Sequence, residues 1–67
     1  MFRISLAAAR VNARLTQKEM AEKLGVTTQT VINWESGKTE PSLSQLREIS
    51  CFSGIPMDYI FIPEKSN

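Results

Sequence analysis

The sequence predicts an all-α domain, a compact bundle of five short helices, from three observations. Hydroxyl residues recur just ahead of short amphipathic segments, and glycines follow several of these segments. Apolar and small residues recur at the three- and four-residue spacing of a helix, and runs that alternate like a strand are missing. A chain of 67 residues with one cysteine is a single small domain without an internal disulfide. We expect this domain to span residues 1–62 and a flexible tail to span residues 63–67.

The first two helices have clear start signals. Ser5 can cap a first helix whose small and apolar residues recur from Leu6 to Ala13. The sequence TQKE then forms a capping box, in which the Thr16 hydroxyl and the Glu19 carboxylate each bond the other residue's backbone amide. The second helix is therefore predicted to begin at Thr16.

A third helix follows after a short turn. Gly25 supplies the left-handed residue that ends the second helix, and Thr27 caps the third. Val31 and Trp34 share one face of the third helix, which predicts that both are core residues.

The remaining helices are marked by proline, serine and glycine. Gly37 lies in a loop, and Ser42 caps a fourth helix that ends at Gly54. Pro56 starts a last short helical turn over residues 57–61, MDYIF. This turn is the fifth predicted helix.

Composition narrows the possible functions. The chain has no histidine, so neither a metal site, nor a cofactor, nor histidine-based catalysis is expected, and we predict that it is not an enzyme. Its net charge of +1 does not by itself indicate nucleic-acid binding. Cys51 is interpreted as an inert thiol. No apolar run reaches the roughly 20 residues of a membrane span, and no signal-peptide pattern is visible. We expect a cytoplasmic protein with no membrane partner.

The outward face of the third helix is unusual because it carries no charge. Its side chains are Thr28, Gln29, Ile32 and Asn33. Two helices joined around Gly25 predict a helix-turn-helix, whose second helix can enter the major groove of DNA. There Gln29 can bond adenine, and Ile32 can pack on thymine methyl groups. Alternatively, Gln29 is an ordinary solvated residue and Ile32 packs in the core beside Val31.

The segment LTQKEMAEKLGVTTQTVINWESGKTEPS resembles the Cro and lambda-repressor type of helix-turn-helix domain, the XRE family. The resemblance extends from Leu6 to about Ile60. The residues that carry it are Arg10, Leu15-Thr16-Gln17, Ala21, Gly25, Val31, Trp34-Glu35, Gly37 and Pro41-Ser42.

The resemblance implies a role for each matching residue. Base contacts fall to Thr28, Gln29, Ile32 and Asn33, and phosphate contacts to Gln17, Thr27, Lys38 and Thr39. Arg10 and Glu35 match a pair that forms a structural salt bridge in this family. Gln17 could otherwise be only a helix residue, Lys38 could be only a solvated charge, and an exposed Arg10–Glu35 pair would contribute only ~0–1 kcal/mol.

Three residues depart from the family pattern. Arg14 stands where glycine or asparagine commonly ends the first helix, so a positive φ there would cost about 1 kcal/mol or more. Ser53 replaces a usual leucine, and Phe52 beside it occupies a usually small position. Phe52 is therefore expected to be either buried by a rotation of the fourth helix or partly exposed.

The apolar end of the chain suggests a second surface. Phe52, Tyr59, Phe61 and Ile62 form a possible protein interface, because exposed apolar clusters usually mark one. The alternative is that the last helix completes the core.

Two functions follow from these expectations. The first is a sequence-specific DNA-binding transcriptional regulator, such as a phage or mobile-element repressor or Cro-like switch protein. It would be associated with the nucleoid of a bacterial host and bind double-stranded DNA as a homodimer, at least on the DNA. The second is a protein-binding modulator, like an anti-repressor or antitoxin, that acts on a second regulatory protein through the apolar C-terminal surface, with or without DNA contact.

Overall fold

The computed structural model describes residues 3–61, so Ile62 and the expected tail lie outside the described residues. Its elements in chain order are β1 Ile4–Ser5, α1 Leu6–Asn12, α2 Gln17–Leu24, α3 Thr28–Ser36, α4 Leu43–Ser53, a 3-10 turn Met57–Tyr59 and β2 Ile60–Phe61. The prediction of five helices is wrong for the described residues, which hold four α-helices. The backbone turns extended at Ile60, with φ −86° and ψ 119°, so the segment after Pro56 completes only the 3-10 turn.

Each α-helix begins at a hydroxyl residue that accepts a hydrogen bond from the third helical amide. The four capping residues are Ser5, Thr16, Thr27 and Ser42. The capping box of Thr16 and Glu19 is present as predicted. A second box at the start of α4 pairs Ser42 with Gln45. These caps satisfy amides that a helix leaves without an internal partner, and they set where each helix starts.

The core lies where the four helices meet. Its buried hydrophobic residues are Leu6, Ala9, Met20, Ala21, Val31, Trp34, Ile49, Ile55 and Ile60. Trp34 is 2% exposed, so it is a core residue as predicted. Because Val31 and Trp34 fix the inner face of α3 against α2, the opposite face of α3 is directed outward.

The two ends of the described chain meet in a small parallel sheet. Ile4 pairs with Ile60 and Ser5 with Phe61. The expectation of a purely helical domain is therefore corrected by one pair of two-residue strands. Segments this short carry too few residues to display the alternation by which strands are recognised.

The departures at the helix ends have visible structural consequences. Arg14 has φ 60°, the left-handed conformation that its position predicted. Ser53 is 7% exposed, and its hydroxyl accepts from the Ile55 amide at 3.3 Å. Phe52 is half-buried and packs against the core. The buried serine hydroxyl therefore has a hydrogen-bond partner in the turn after α4. The Phe52 ring is partly covered by its packing against the core.

Candidate nucleic-acid interface

The N-terminal half of α3 forms the candidate interface, and it is open to a ligand. Gln29 is exposed, Thr28 and Asn33 are half-buried, and Ile32 is 36% exposed. The first turn of α3 contains no acidic residue. The positive end of the helix dipole is therefore not neutralised by a carboxylate of its own first turn. Ile32 lies at the surface rather than in the core beside Val31, so the core alternative for this residue is wrong.

Near the C-terminal end of α3, one carboxylate joins three elements. Glu35 on α3 accepts from Arg10 Nε at 2.7 Å and from Arg10 Nη2 at 3.3 Å. It also accepts from Gln17 Nε2 at 3.0 Å, and Arg10 Nη1 donates to the Leu15 carbonyl at 2.9 Å. The Arg10 and Glu35 side chains are only 15% and 9% exposed. This bidentate, largely buried pair fixes α3 relative to α1 and the start of α2.

Gln17 makes one side-chain contact that ties α2 to α3. One hydrogen of its amide group is donated to Glu35, a contact that the sequence did not predict. An amide nitrogen carries two hydrogens, so a second one remains for another acceptor. The residue is half-buried at the first position of α2.

On the outer face of α3, two of the predicted base-contacting residues bond to each other. Gln29 Nε2 donates to Asn33 Oδ1 at 3.0 Å, one helical turn away. The Thr27 hydroxyl is engaged in capping, since it accepts from the Thr30 amide at 3.2 Å. The polar face is thus organised before any ligand is present.

The loop after α3 is tied to the helix. The Lys38 and Thr39 amides both donate to the Asn33 carbonyl, at 2.9 and 3.3 Å. Gly37 adopts φ 82°, which a side chain disfavours, to make this turn. The exposed Lys38 side chain and the half-buried Thr39 are therefore held near the C-terminal end of the same outer face.

The possible protein interface lies elsewhere on the molecule. Tyr59 is 43% exposed and Phe61 is 41% exposed, whereas Phe52 is half-buried. Arg3 lies 5.8 Å from the ring centroid of Phe61, and Lys23 lies 5.6 Å from that of Phe52. Neither contact has a local signal in the sequence, because each joins residues far apart in the chain.

The described part of the chain lacks two other kinds of site. Residues 3–61 hold no group of three or more potential metal ligands. None of the helices in this range combines the length and the apolar character needed to cross a bilayer.

This fold and its exposed helix are those of a helix-turn-helix domain. The family model described as helix-turn-helix matches residues 6–60, so the chain belongs to the XRE-type helix-turn-helix family. The resemblance inferred from the sequence is confirmed.

Several curated proteins are similar to the chain. It is 48% identical over 50 residues to an uncharacterized HTH-type transcriptional regulator of Methanocaldococcus jannaschii, covering 75% of this chain and 76% of that protein. It is 35% identical over 66 residues to the regulator YqaE of Bacillus subtilis, covering 98% of this chain and 57% of YqaE. It is 34% identical over 64 residues to the transcriptional activator BcrR of Enterococcus faecalis, covering 96% of this chain and 31% of BcrR. No solved structure matches the chain significantly.

Proposed function

We propose that the protein is a sequence-specific DNA-binding transcriptional regulator that places the N-terminal half of α3 in the major groove. The observation that carries this proposal is the outer face of α3, which is uncharged and presents exposed Gln29 and Ile32 beside half-buried polar side chains, while the other side of the helix is packed and salt-bridged. Such a face suits base edges, which offer hydrogen-bond donors, acceptors and methyl groups in the major groove. Membership of a family of DNA-binding regulators supports the same function.

In this proposal the residues around α3 divide into base contacts and phosphate contacts. Thr28, Gln29, Ile32 and Asn33 contact bases. The second amide hydrogen of Gln17, the Thr27 hydroxyl, the Lys38 ammonium and Thr39 contact the DNA backbone. Phosphate contacts of this kind position the protein on the duplex, while base contacts select the sequence.

The net charge of +1 limits how the regulator can bind tightly. Nonspecific affinity depends mainly on neutralising phosphates, so it is modest for this domain. We infer that it binds as a homodimer on two half-sites about 34 Å apart, one helical turn of DNA. Dimeric binding of this kind suits a cytoplasmic, nucleoid-associated switch protein of a phage or mobile element. In support, one relative is a prophage-derived regulator of Bacillus subtilis.

Measured affinities of variants test base readout. Preferred duplexes are first selected from a random pool and then titrated with the wild type and with single variants. Gln29→Ala should weaken binding to the selected site by roughly 10- to 100-fold, the value of a bidentate base contact, and Thr28→Ala should weaken it several-fold. Both should leave binding to unrelated DNA unchanged. Lys38→Ala serves as the contrast, because it should weaken all sequences and flatten the salt dependence by about one unit.

A second candidate function is a protein-binding modulator of the anti-repressor or antitoxin type. The exposure of Tyr59 and Phe61 favours it, since two exposed aromatic side chains stand two residues apart at the end of the described chain. The titration above separates the two candidates. Affinity that does not change with either α3 substitution at any salt concentration would reject direct base readout and leave this candidate.

A further inference from the structure

We propose that Asn33 is a positioning residue that makes Gln29 select adenine over guanine at one base pair of the DNA site. This inference rests on the proposed function, because it requires the outer face of α3 to lie in the major groove. It deepens that function by naming the base that Gln29 reads and the neighbouring side chain that sets the choice.

A hydrogen bond joins the side chains of Gln29 and Asn33. Gln29 Nε2 donates one of its hydrogens to Asn33 Oδ1 at 3.0 Å. A glutamine amide has two N–H donors and one acceptor oxygen. The contact with Asn33 therefore leaves one N–H and the oxygen Oε1 of Gln29 for a ligand.

This remaining pair matches one purine and opposes the other. In the major groove adenine presents the acceptor N7 beside the amino donor N6, so one donor and one acceptor of Gln29 fit it. Guanine presents two acceptors, N7 and O6. Bonding both would require two donors from Gln29, and one of these is already bound to Asn33. With that bond in place, Gln29 Oε1 would face guanine O6, and two acceptors repel each other.

The same bond also restricts the conformation of Gln29 before DNA arrives. Gln29 is exposed, so without a partner its three side-chain torsions would sample several rotamers. Asn33 is half-buried on a helix whose inner face is packed in the core, which makes it a firm anchor. Binding then immobilises a side chain that is already partly ordered.

The test compares base preferences at the base pair where Gln29→Ala abolishes discrimination. Asn33→Ala should lower the adenine-over-guanine ratio at that base pair by about two- to tenfold, the value of roughly one hydrogen bond, because both N–H groups of Gln29 are then free to bond guanine. Asn33→Asp keeps the acceptor oxygen, so it should retain most of the ratio while its charge weakens binding to all sequences. Ser36→Ala is the matched control, because Ser36 is exposed on the same helix and its hydroxyl bonds only its own helical turn, at the Asn33 carbonyl. It should leave the ratio unchanged.

A second measurement examines the positioning role without DNA. In the 15N-labelled wild type the side-chain amide of Gln29 should be ordered on the nanosecond timescale, and it should become mobile in Asn33→Ala. Asn33→Asp should keep it ordered. An equally mobile Gln29 amide in the wild type and in Asn33→Ala would overturn the inference.

The outcomes separate this inference from the proposed function. A wild type that selects no DNA sequence overturns both. A wild type that selects a site, with Asn33→Ala altering preference only at another base pair, means that Asn33 makes its own contact and overturns the positioning role alone. A change at the base pair read by Gln29 that is absent when Gln29 is already alanine supports it, whether or not Asn33→Ala also changes the preference at a base pair that Asn33 itself contacts.

Discussion

Two regions of the molecule present different kinds of exposed surface. We call the outer face of α3 with its supporting residues the α3 end, and the segment from Ile55 to Phe61 the C-terminal end. At the α3 end the outer face carries uncharged amides and hydroxyls beside one exposed isoleucine, and the Gln29 amide bonds to Asn33. At the C-terminal end they are the aromatic rings of Tyr59 and Phe61, the latter with an exposed arginine over it. Polar groups with fixed directions can distinguish one base from another, whereas an apolar ring distinguishes mainly shape and area. The α3 end is therefore the surface suited to sequence recognition.

The two regions also differ in the contacts that hold them in place. The α3 end is held by a largely buried ion pair, Arg10 with Glu35, which accepts a further bond from Gln17. The C-terminal end is held by the two-residue sheet and by Ile55 and Ile60 in the core. The substitutions below perturb first the ion pair that supports the α3 end and then the turns that follow α1 and α4.

The largest effect on stability is expected at the α3 end. Glu35→Ala should lower the free energy of unfolding by about 3 kcal/mol, because it leaves the Arg10 guanidinium partly buried without its charge partner. A core of this size rarely supplies more than ~3–5 kcal/mol, so a large fraction of the chain should be unfolded at room temperature. Urea denaturation followed by circular dichroism measures the change.

The control for this substitution is Glu22→Ala, which removes an exposed carboxylate from α2. Its effect should be within about 0.5 kcal/mol. Equal losses for the two variants would mean that the Arg10–Glu35 pair adds no more than a surface charge does.

A smaller effect on the free energy of unfolding is expected from the residues that follow the C-terminal ends of α1 and α4. Arg14 and Gly54 both adopt a positive φ, 60° and 73°. Arg14→Gly should raise the free energy of unfolding by about 0.5–1 kcal/mol, since it relieves left-handed strain and loses part of this gain to the more flexible unfolded chain. Gly54→Ala should lower it by about 1 kcal/mol. An added Cβ at Gly54 meets nothing within 4 Å, so this loss reflects the backbone alone.

The same denaturation experiment checks both variants. Opposite signs are the expected result. A destabilised Arg14→Gly would show that the Arg14 side chain makes a contribution larger than the strain of its backbone.

Local signals accounted for most of what the sequence predicted. The capping residues and the glycine ends depend on neighbours within four positions, so Thr16, Glu19 and Gly25 could be assigned from the pattern alone. The pairing of Ile4 with Ile60 could not, because it joins two-residue segments from opposite ends of the chain. The extended backbone at Ile60 also explains why the expected fifth helix is a single 3-10 turn.

The residues of the candidate site could be predicted from the sequence, but only some of the hydrogen bonds between them could. The spacing of Gln29 and Asn33 on one helical face is that of side chains able to bond, so this contact had a signal in the sequence. The bond from Gln17 to Glu35 had none, because it depends on how α2 and α3 pack. The roles of these residues on DNA remain predictions.

The central claim is that the outer face of α3 lies against bases in the major groove. The most direct measurement is a set of intermolecular nuclear Overhauser effects between the protein and a duplex that carries its selected site. We expect contacts from the Thr28 and Ile32 methyl groups to thymine methyl or other major-groove protons. Contacts to DNA that arise only from the C-terminal end, or none from α3, would contradict this claim.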